Sequence, residues 1–383
     1  MTPEKITEEQ GREQVEAVLG RITGTTSYDG FGDVDFVIEA VPERMDIKQA
    51  VFEELDAVTP GHAILATNTS GLSITEIGDA TLRPEKVVGF HFFYPASVMP
   101  LLEIVIGEET DPETIGTAVN FAQKIRKQPI TCADEPGFVV NRILNSSVSE
   151  VWRAQEEQGL SLKKVDEQIQ GANLAPMGPF FLVDLLGLDT VYHVAEHLKD
   201  SYGESFYVHQ GMKKLVEEGK LGAKTGGSGF YENGEPQIEG EGEPDGEALA
   251  ELMSLKALVE SCAVLEEDVC TVREIDLGMM AGAGMDPRRG IFPPFMKADA
   301  TGLDVILEKL DRPGGLMRTN IPAFRLPASV LDEEVDIVGA KLIKALTPAG
   351  QRRGARAGRP GRHRDASCKP QHRYEQRGSQ KYV

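Results

Sequence analysis

The sequence predicts an α/β fold in which an incomplete parallel sheet is followed by one or two mainly helical domains. Three observations predict it. Apolar runs at 35–41 and 63–67 bracket a helical pattern at 44–58, the strand–helix–strand alternation of a parallel sheet with crossover connections. From Asp134 onward the texture changes to long stretches with apolar residues at helical spacing. Within them, a helix, a Pro/Gly turn and a second helix occur at 165–189 and again at 274–304, which reads as a duplication.

Taken in order, residues 4–22 form a polar amphipathic helix with Val15, Val18, Leu19 and Ile22 on one side, followed by a Gly/Thr/Asp turn region at 23–33. Asp35 to Val41 is a buried strand that Pro42 stops. The helix at 44–58 places Ile47, Val51, Leu55 and Val58 on one face. The strand at 63–67 leads into the loop Asn68-Thr69-Ser70, and ligands of such sheets bind beyond the strand C-termini. Further apolar runs at 87–94 and 101–106, a helix at 112–126 and a strand at 128–132 complete a sheet domain over 1–133. A helical domain spans 134–231, an acidic Gly/Glu/Pro/Asp linker 232–247, and a second helical copy 248–315. Residues 316–383 form a poorly defined tail, basic and disordered from 350.

Charge narrows the partners. The chain holds 40 Lys+Arg against 61 Asp+Glu, a net charge of −21, although the segment from Gly350 is itself positive. So acidic a body repels phosphate, which argues against nucleic acid and anionic membranes as partners. It suits a protein from a salt-rich interior, where screening removes the self-repulsion. The cysteines Cys132, Cys262, Cys270 and Cys368 lack CxxC spacing and read as thiols in a reducing, cytoplasmic compartment; no metal-ligand spacing stands out. No signal peptide or 18-residue apolar run is recognisable.

The chemistry gathers between Asn68 and Glu103. Ser70, His91 and Glu103 each lie at the end of or inside an apolar strand-like run. A histidine and a carboxylate buried in apolar surroundings need each other, and a histidine whose basicity is set by a carboxylate is a prepared general base. A lone histidine in an apolar strand is otherwise a satisfied core residue, and Ser70 could simply cap a turn. Asn141 lies within a helical pattern, where asparagine is mildly unfavourable, so a hydrogen-bonding role is the better explanation.

Residues 33–231 resemble the L-3-hydroxyacyl-CoA dehydrogenases of fatty-acid β-oxidation. The resemblance rests on Val37-Ile38-Glu39-Ala40-Val41-Pro42-Glu43, Ala66-Thr67-Asn68-Thr69-Ser70, Gly89-Phe90-His91-Phe92-Phe93 and Glu135-Pro136-Gly137-Phe138-Val139-Val140-Asn141-Arg142. It continues through Pro176-Met177-Gly178-Pro179-Phe180, Gly187-Leu188-Asp189-Thr190 and Lys224-Thr225-Gly226. It implies a Rossmann-type sheet, NAD as cofactor, an acyl-CoA thioester as substrate, and a homodimer formed through the helical domain. It further implies His91 as general base, Glu103 as its orienting partner, and Ser70 and Asn141 as hydrogen-bond partners of the substrate oxygen. Glu43, Lys48 and Lys224, with Ser70, match positions that contact NAD. The copy at 248–315 looks like the extra helical domain of the multifunctional members. Tyr94 departs from the family's usual Asn, and Gly227-Ser228 lengthens the Lys-Thr-Gly loop.

A G-x-G-x-x-G turn, which brings a helix N-terminus to a dinucleotide pyrophosphate, is not found; Gly282-Ala283-Gly284 is a lone G-x-G after a helical pattern. In the resembled family that turn lies upstream of the region matching Asp33, so the chain is expected to be truncated at its N-terminus and not to bind NAD measurably. A second reading follows: a non-catalytic remnant, at most an acyl-CoA-binding or dimerising module.

Overall fold

The computed structural model describes residues 7–171 and 177–311. The tail expected at 316–383, the last residues of the expected second helical domain and the Ala175-Pro176 turn lie outside them. The first element, α1 (Glu8–Leu19), opens on a capping box in which the Thr7 hydroxyl accepts the Gln10 N–H and the Gln10 side chain accepts the Thr7 N–H. Its apolar stripe is exposed: Val15, Val18, Leu19 and Ile22 all remain at least half accessible.

The sheet runs in order β1 (Phe36–Glu39), β2 (Ile64–Thr67), β3 (Val87–Phe92), β4 (Leu101–Ile106) and β5 (Gln128–Ala133). Between these strands lie α2 (Met45–Val58), α3 (Ile74–Gly78) and α4 (Pro112–Lys124). β1, β2 and β3 are parallel, as are β4 and β5, so crossover helices connect them as expected. One pairing in this mainly parallel sheet is reversed: β4 runs antiparallel to β3. The connection over 93–100 is too short for a crossover, which takes a dozen or more residues, so the chain has to turn straight back.

Alternate strand residues feed opposite faces, as the pleat demands. Ile64, Ala66, Val88, Phe90, Leu102 and Ile104 pack with Ala118 and Ala122 of α4. Leu65, Val87, Val105 and Ile130 face the other way, onto Phe52 and Leu55 of α2 and Ile74 and Ile77 of α3.

The first helical block comprises α5 (Val140–Gln158), α6 (Leu162–Gly171), α7 (Pro179–Leu186), α8 (Leu188–Tyr202) and α9 (Gln210–Glu217), closed by the hairpin β6 (Tyr231–Glu232) and β7 (Glu235–Pro236). The segment read as a linker is tied down along its length. Ile238 packs on the helical core, and Ser161 N–H donates to the Gly242 carbonyl while Gly242 N–H donates to that of Gly159. The second block comprises α10 (Gly246–Glu266), α11 (Val272–Gly282), α12 (Pro294–Thr301) and α13 (Leu303–Asp311).

The two blocks meet along α5 and α10, antiparallel and laced by buried charge. Arg142 at the start of α5 is 2.7 Å from Glu260 and from Glu267 near the end of α10, and Lys256 is 3.6 Å from Glu150. The second block also lies on the sheet. Gly278 and Gly282 of α11 give close approach: a Cβ at Gly282 would stand 2.4 Å from Leu101 of β4, and one at Gly278 would stand 3.0 Å from Ile130 of β5.

Candidate active site

Because β3 and β4 are antiparallel, their register sets His91 directly opposite Glu103, on the same face of the sheet. His91 Nδ1 is 2.7 Å from Glu103 Oε2. An ionised carboxylate only accepts, so Nδ1 carries the proton and Nε2 is the basic nitrogen. The second oxygen, Glu103 Oε1, accepts the Val140 N–H at 3.0 Å. Glu103 thus spans the two domains, with one oxygen on the histidine and the other on the N-terminus of α5, where a helix favours negative charge. His91 is 3% exposed and Glu103 not at all. The imidazole lies against Phe93 and Phe138, with ring centres 4.6 and 5.7 Å away.

Asn141 stands in the first turn of α5, immediately after the Val140 N–H that Glu103 holds. The sequence reading put it mid-helix. The helix starts later because Gly137 and Phe138 both have positive φ, 76° and 49°. Only glycine fits at 137, where a Cβ would come within 2.7 Å of Leu198 of α8.

Ser70 lies beyond the C-terminal end of β2. Its N–H donates to Glu43 Oε1 at 2.8 Å, and the Thr69 hydroxyl donates to the same oxygen at 2.6 Å. Glu43 thereby joins the loop after β1 to the loop after β2, while its side chain stays 45% exposed. Lys48 is drawn inward: its ammonium is 2.9 Å from buried Glu39 and 3.3 Å from Glu43. Glu39 also accepts the Thr67 hydroxyl at 2.7 Å, so the buried charge is paired and hydrogen-bonded. Asn68 Oδ1 accepts the Phe92 N–H at 2.9 Å and ties the end of β2 to the end of β3, next to His91. Lys224 stands in the short turn Ala223–Thr225, and its side chain lies outside the described groups.

Sequence reasoning missed three contributors. Phe138, inside a block already singled out, walls the histidine. Asp134, at the domain boundary, accepts from the Ser73 and Thr75 hydroxyls and the Thr75 N–H at 2.7 to 2.9 Å, holding the Ser70 loop to the start of the helical block. The Val140 N–H has no side-chain signal at all. Among the described residues no group of three or more His, Cys, Asp or Glu is placed to hold a metal ion.

The model of the 3-hydroxyacyl-CoA dehydrogenase NAD-binding domain matches residues 2–135, and that of the family's C-terminal domain matches residues 137–233. A 3-hydroxybutyryl-CoA dehydrogenase of Clostridioides difficile is 42% identical over 217 residues, which cover 56% of this chain and 76% of the relative. The chain belongs to the 3-hydroxyacyl-CoA dehydrogenase family. Its members are NAD-dependent oxidoreductases acting on hydroxyacyl-CoA. The fatty acid oxidation complex subunit alpha of Acinetobacter baylyi is 36% identical over 307 residues, or 74% of this chain. The chain spans 42% of that subunit's length, less than half. A solved 3-hydroxybutyryl-CoA dehydrogenase from Escherichia coli shares the fold, with a TM-score of 0.70 at 23% identity over 89% of this chain and 93% of that one. The two family matches divide between residues 135 and 137, just before α5.

The family's cofactor is NAD. At the ends of β1 and β2 the half-exposed Glu43 carboxylate, braced by Thr69 and Lys48 and beside Ser70, keeps the acceptor capacity that a sugar hydroxyl of such a cofactor would need.

Proposed function

We propose that the chain oxidises the hydroxyl of an (S)-3-hydroxyacyl-CoA, a β-oxidation step, with His91 as the general base. The observation that carries this reading is Glu103 holding His91 Nδ1 with one oxygen and the Val140 N–H with the other. Glu103 selects the tautomer and opposes the positive charge that forms on the ring as Nε2 takes the hydroxyl proton. The apolar walls Phe93 and Phe138 keep water from competing for that nitrogen. Asn141 and Ser70 orient the substrate oxygen; Glu43 holds the cofactor ribose, with Lys48 fixing the Glu43 carboxylate. NAD, when bound, supplies the hydride acceptor for the same carbon.

The expected partners are the acyl-CoA thioester and a second copy of the chain. The face of α5 is already covered by α10 of the same chain, so a homodimer would use another face. A cytoplasmic, salt-rich setting agrees with the net charge of −21 and with the buried thiols, since burial pushes the Cys262 thiol up to about 12.

Steady-state kinetics of His91→Gln, made in a version of the chain preceded by a Gly-rich NAD-binding segment, test the assignment. We expect kcat to fall by about 10²–10⁴-fold, the usual contribution of a positioned base, with NAD affinity nearly unchanged. Unchanged turnover would remove His91 from the mechanism.

A further inference from the structure

We propose that the second helical block carries its own ligand site, for a monocarboxylate with a medium-length acyl tail. The site is a cavity of about 430 Å³ between α10, α12 and α13, within the size range of small-molecule sites. Its lining is apolar over much of its area, through Ala250, Leu255, Leu258, Ala298 and Ile306. Two ammonium groups also line it, Lys297 from α12 and Lys309 from α13.

The two lysines are in different states. Lys309 is ion-paired with Glu251. Lys297 is half-buried, and its ammonium makes no ion pair or hydrogen bond among the described residues, while its backbone N–H donates to the Pro293 carbonyl. Burial, and then repulsion from Lys309, press its ammonium toward the neutral form, and Glu251 only partly offsets them. A charge under that pressure beside an apolar cavity is relieved by one anion. Glu247 and Glu251 on the same lining repel anything carrying several charges, so a single carboxylate fits where a phosphate-rich head does not. The apolar lining then takes the tail.

The internal duplication gives the cavity its place. The first helix of each block is followed by a left-handed residue, Gly159 directly after α5 with φ 59° and Asp268 two residues after α10 with φ 54°. Counted back from those residues, Ala250 takes the position of Asn141 and Ser254 that of Asn145. Counted from the first residues of the third helices, Pro179 and Pro294, Lys297 takes the position of Leu182. By these counts α10 presents to the cavity the positions that Asn141 and Asn145 hold on α5, with the amides removed, and α12 adds a cation where α7 has a leucine.

Calorimetric titration of the full chain with octanoate tests the site. Lys297→Met should weaken binding by about tenfold or more, the loss of one charge-assisted contact, and Lys297→Arg should keep it within about threefold. Turnover of hydroxyacyl-CoA should be unchanged in both variants. Three results would overturn the proposal: no octanoate binding, binding that survives Lys297→Met, or binding abolished by Asn141→Ala, which would put the acid in the catalytic cleft.

Discussion

The two helical blocks use one device and differ in what they attach to it. In the first, Asp166 of α6 accepts the Phe180 and Phe181 N–H groups at the start of α7, both at 2.9 Å. In the second, Asp276 of α11 accepts the Phe295 and Met296 N–H groups at the start of α12, both at 3.0 Å. Each capped helix opens on a proline and ends on a positive-φ glycine, Gly187 or Gly302. The first block adds the Tyr231 hydroxyl as a third donor to Asp166 and offers Asn141 beside the Glu103 contact. The second has Ala250 at that position and instead presses α11 onto β4, the strand that carries Glu103. The capping carboxylate is therefore common to both copies, while the residues near the start of the first helix differ between them, Asn141 in one and Ala250 in the other.

Exchanging those residues should break the comparison most sharply. We expect Asn141→Ala to lower kcat/KM by about tenfold to a hundredfold, the value of one hydrogen bond to a reacting oxygen, and Ala250→Asn to leave it unchanged. Equal effects of the two substitutions on turnover would mean that the blocks are not functionally distinct.

A pH experiment separates them next. His209 caps α9 of the first block: its Nδ1 accepts the Met212 N–H at 3.0 Å, and its other nitrogen donates to Gln155 Oε1 at 2.9 Å. Burial holds this histidine down at about 4, against the attraction of Glu156 for the charged form. Its stabilising contribution is whole above the ordinary value near 6.5 and is lost as pH falls toward 4, because the unfolded chain takes up a proton that the folded chain refuses. The loss is about 3 kcal/mol. Asp166 and Asp276 act in the opposite sense. Burial raises both to about 6, so the folded chain takes the proton first and gains stability as pH falls from about 6 to 4. His209→Asn keeps an acceptor for Met212 and should flatten or reverse the decline in Tm between pH 6.5 and 4. An acid limb as steep as that of the parent chain would show that His209 does not set it.

The smallest expected difference lies between the two capping carboxylates. Asp166→Asn and Asp276→Asn each turn one acceptor oxygen into a donor facing a backbone N–H. Urea unfolding should show Asp166→Asn to be worse by about 1 kcal/mol, the share of the extra Tyr231 bond. Identical losses would mean that this third donor adds nothing.

Much of the site was legible because its residues interrupt apolar runs. His91 and Glu103 stand out in strands where a charge needs a partner, and the Asn68-Thr69-Ser70 loop follows a strand, where such sheets bind ligands. The second helical block showed itself through its repeated Pro/Gly turn and the aspartates that precede it, which the structure pairs with helix N-termini. Helix ends were less legible: the start of α5 is set by the Gly137–Phe138 backbone, which no hydrophobic period marks.

The sequence by itself determined the main element types and pointed to a histidine and a carboxylate buried together, because periodicity and the cost of burying charge are local properties of the chain. Only the tertiary structure decided that β4 runs back against β3, and that reversal sets His91 against Glu103 across a strand pair. It also decided that the second oxygen of Glu103 is held by a backbone N–H of α5, that Lys48 is spent on Glu39 and Glu43, and that α11 backs β4. Backbone donors carry no residue code, and a contact between segments distant along the chain depends on how the layers stack, so neither can be read from the order of side chains alone.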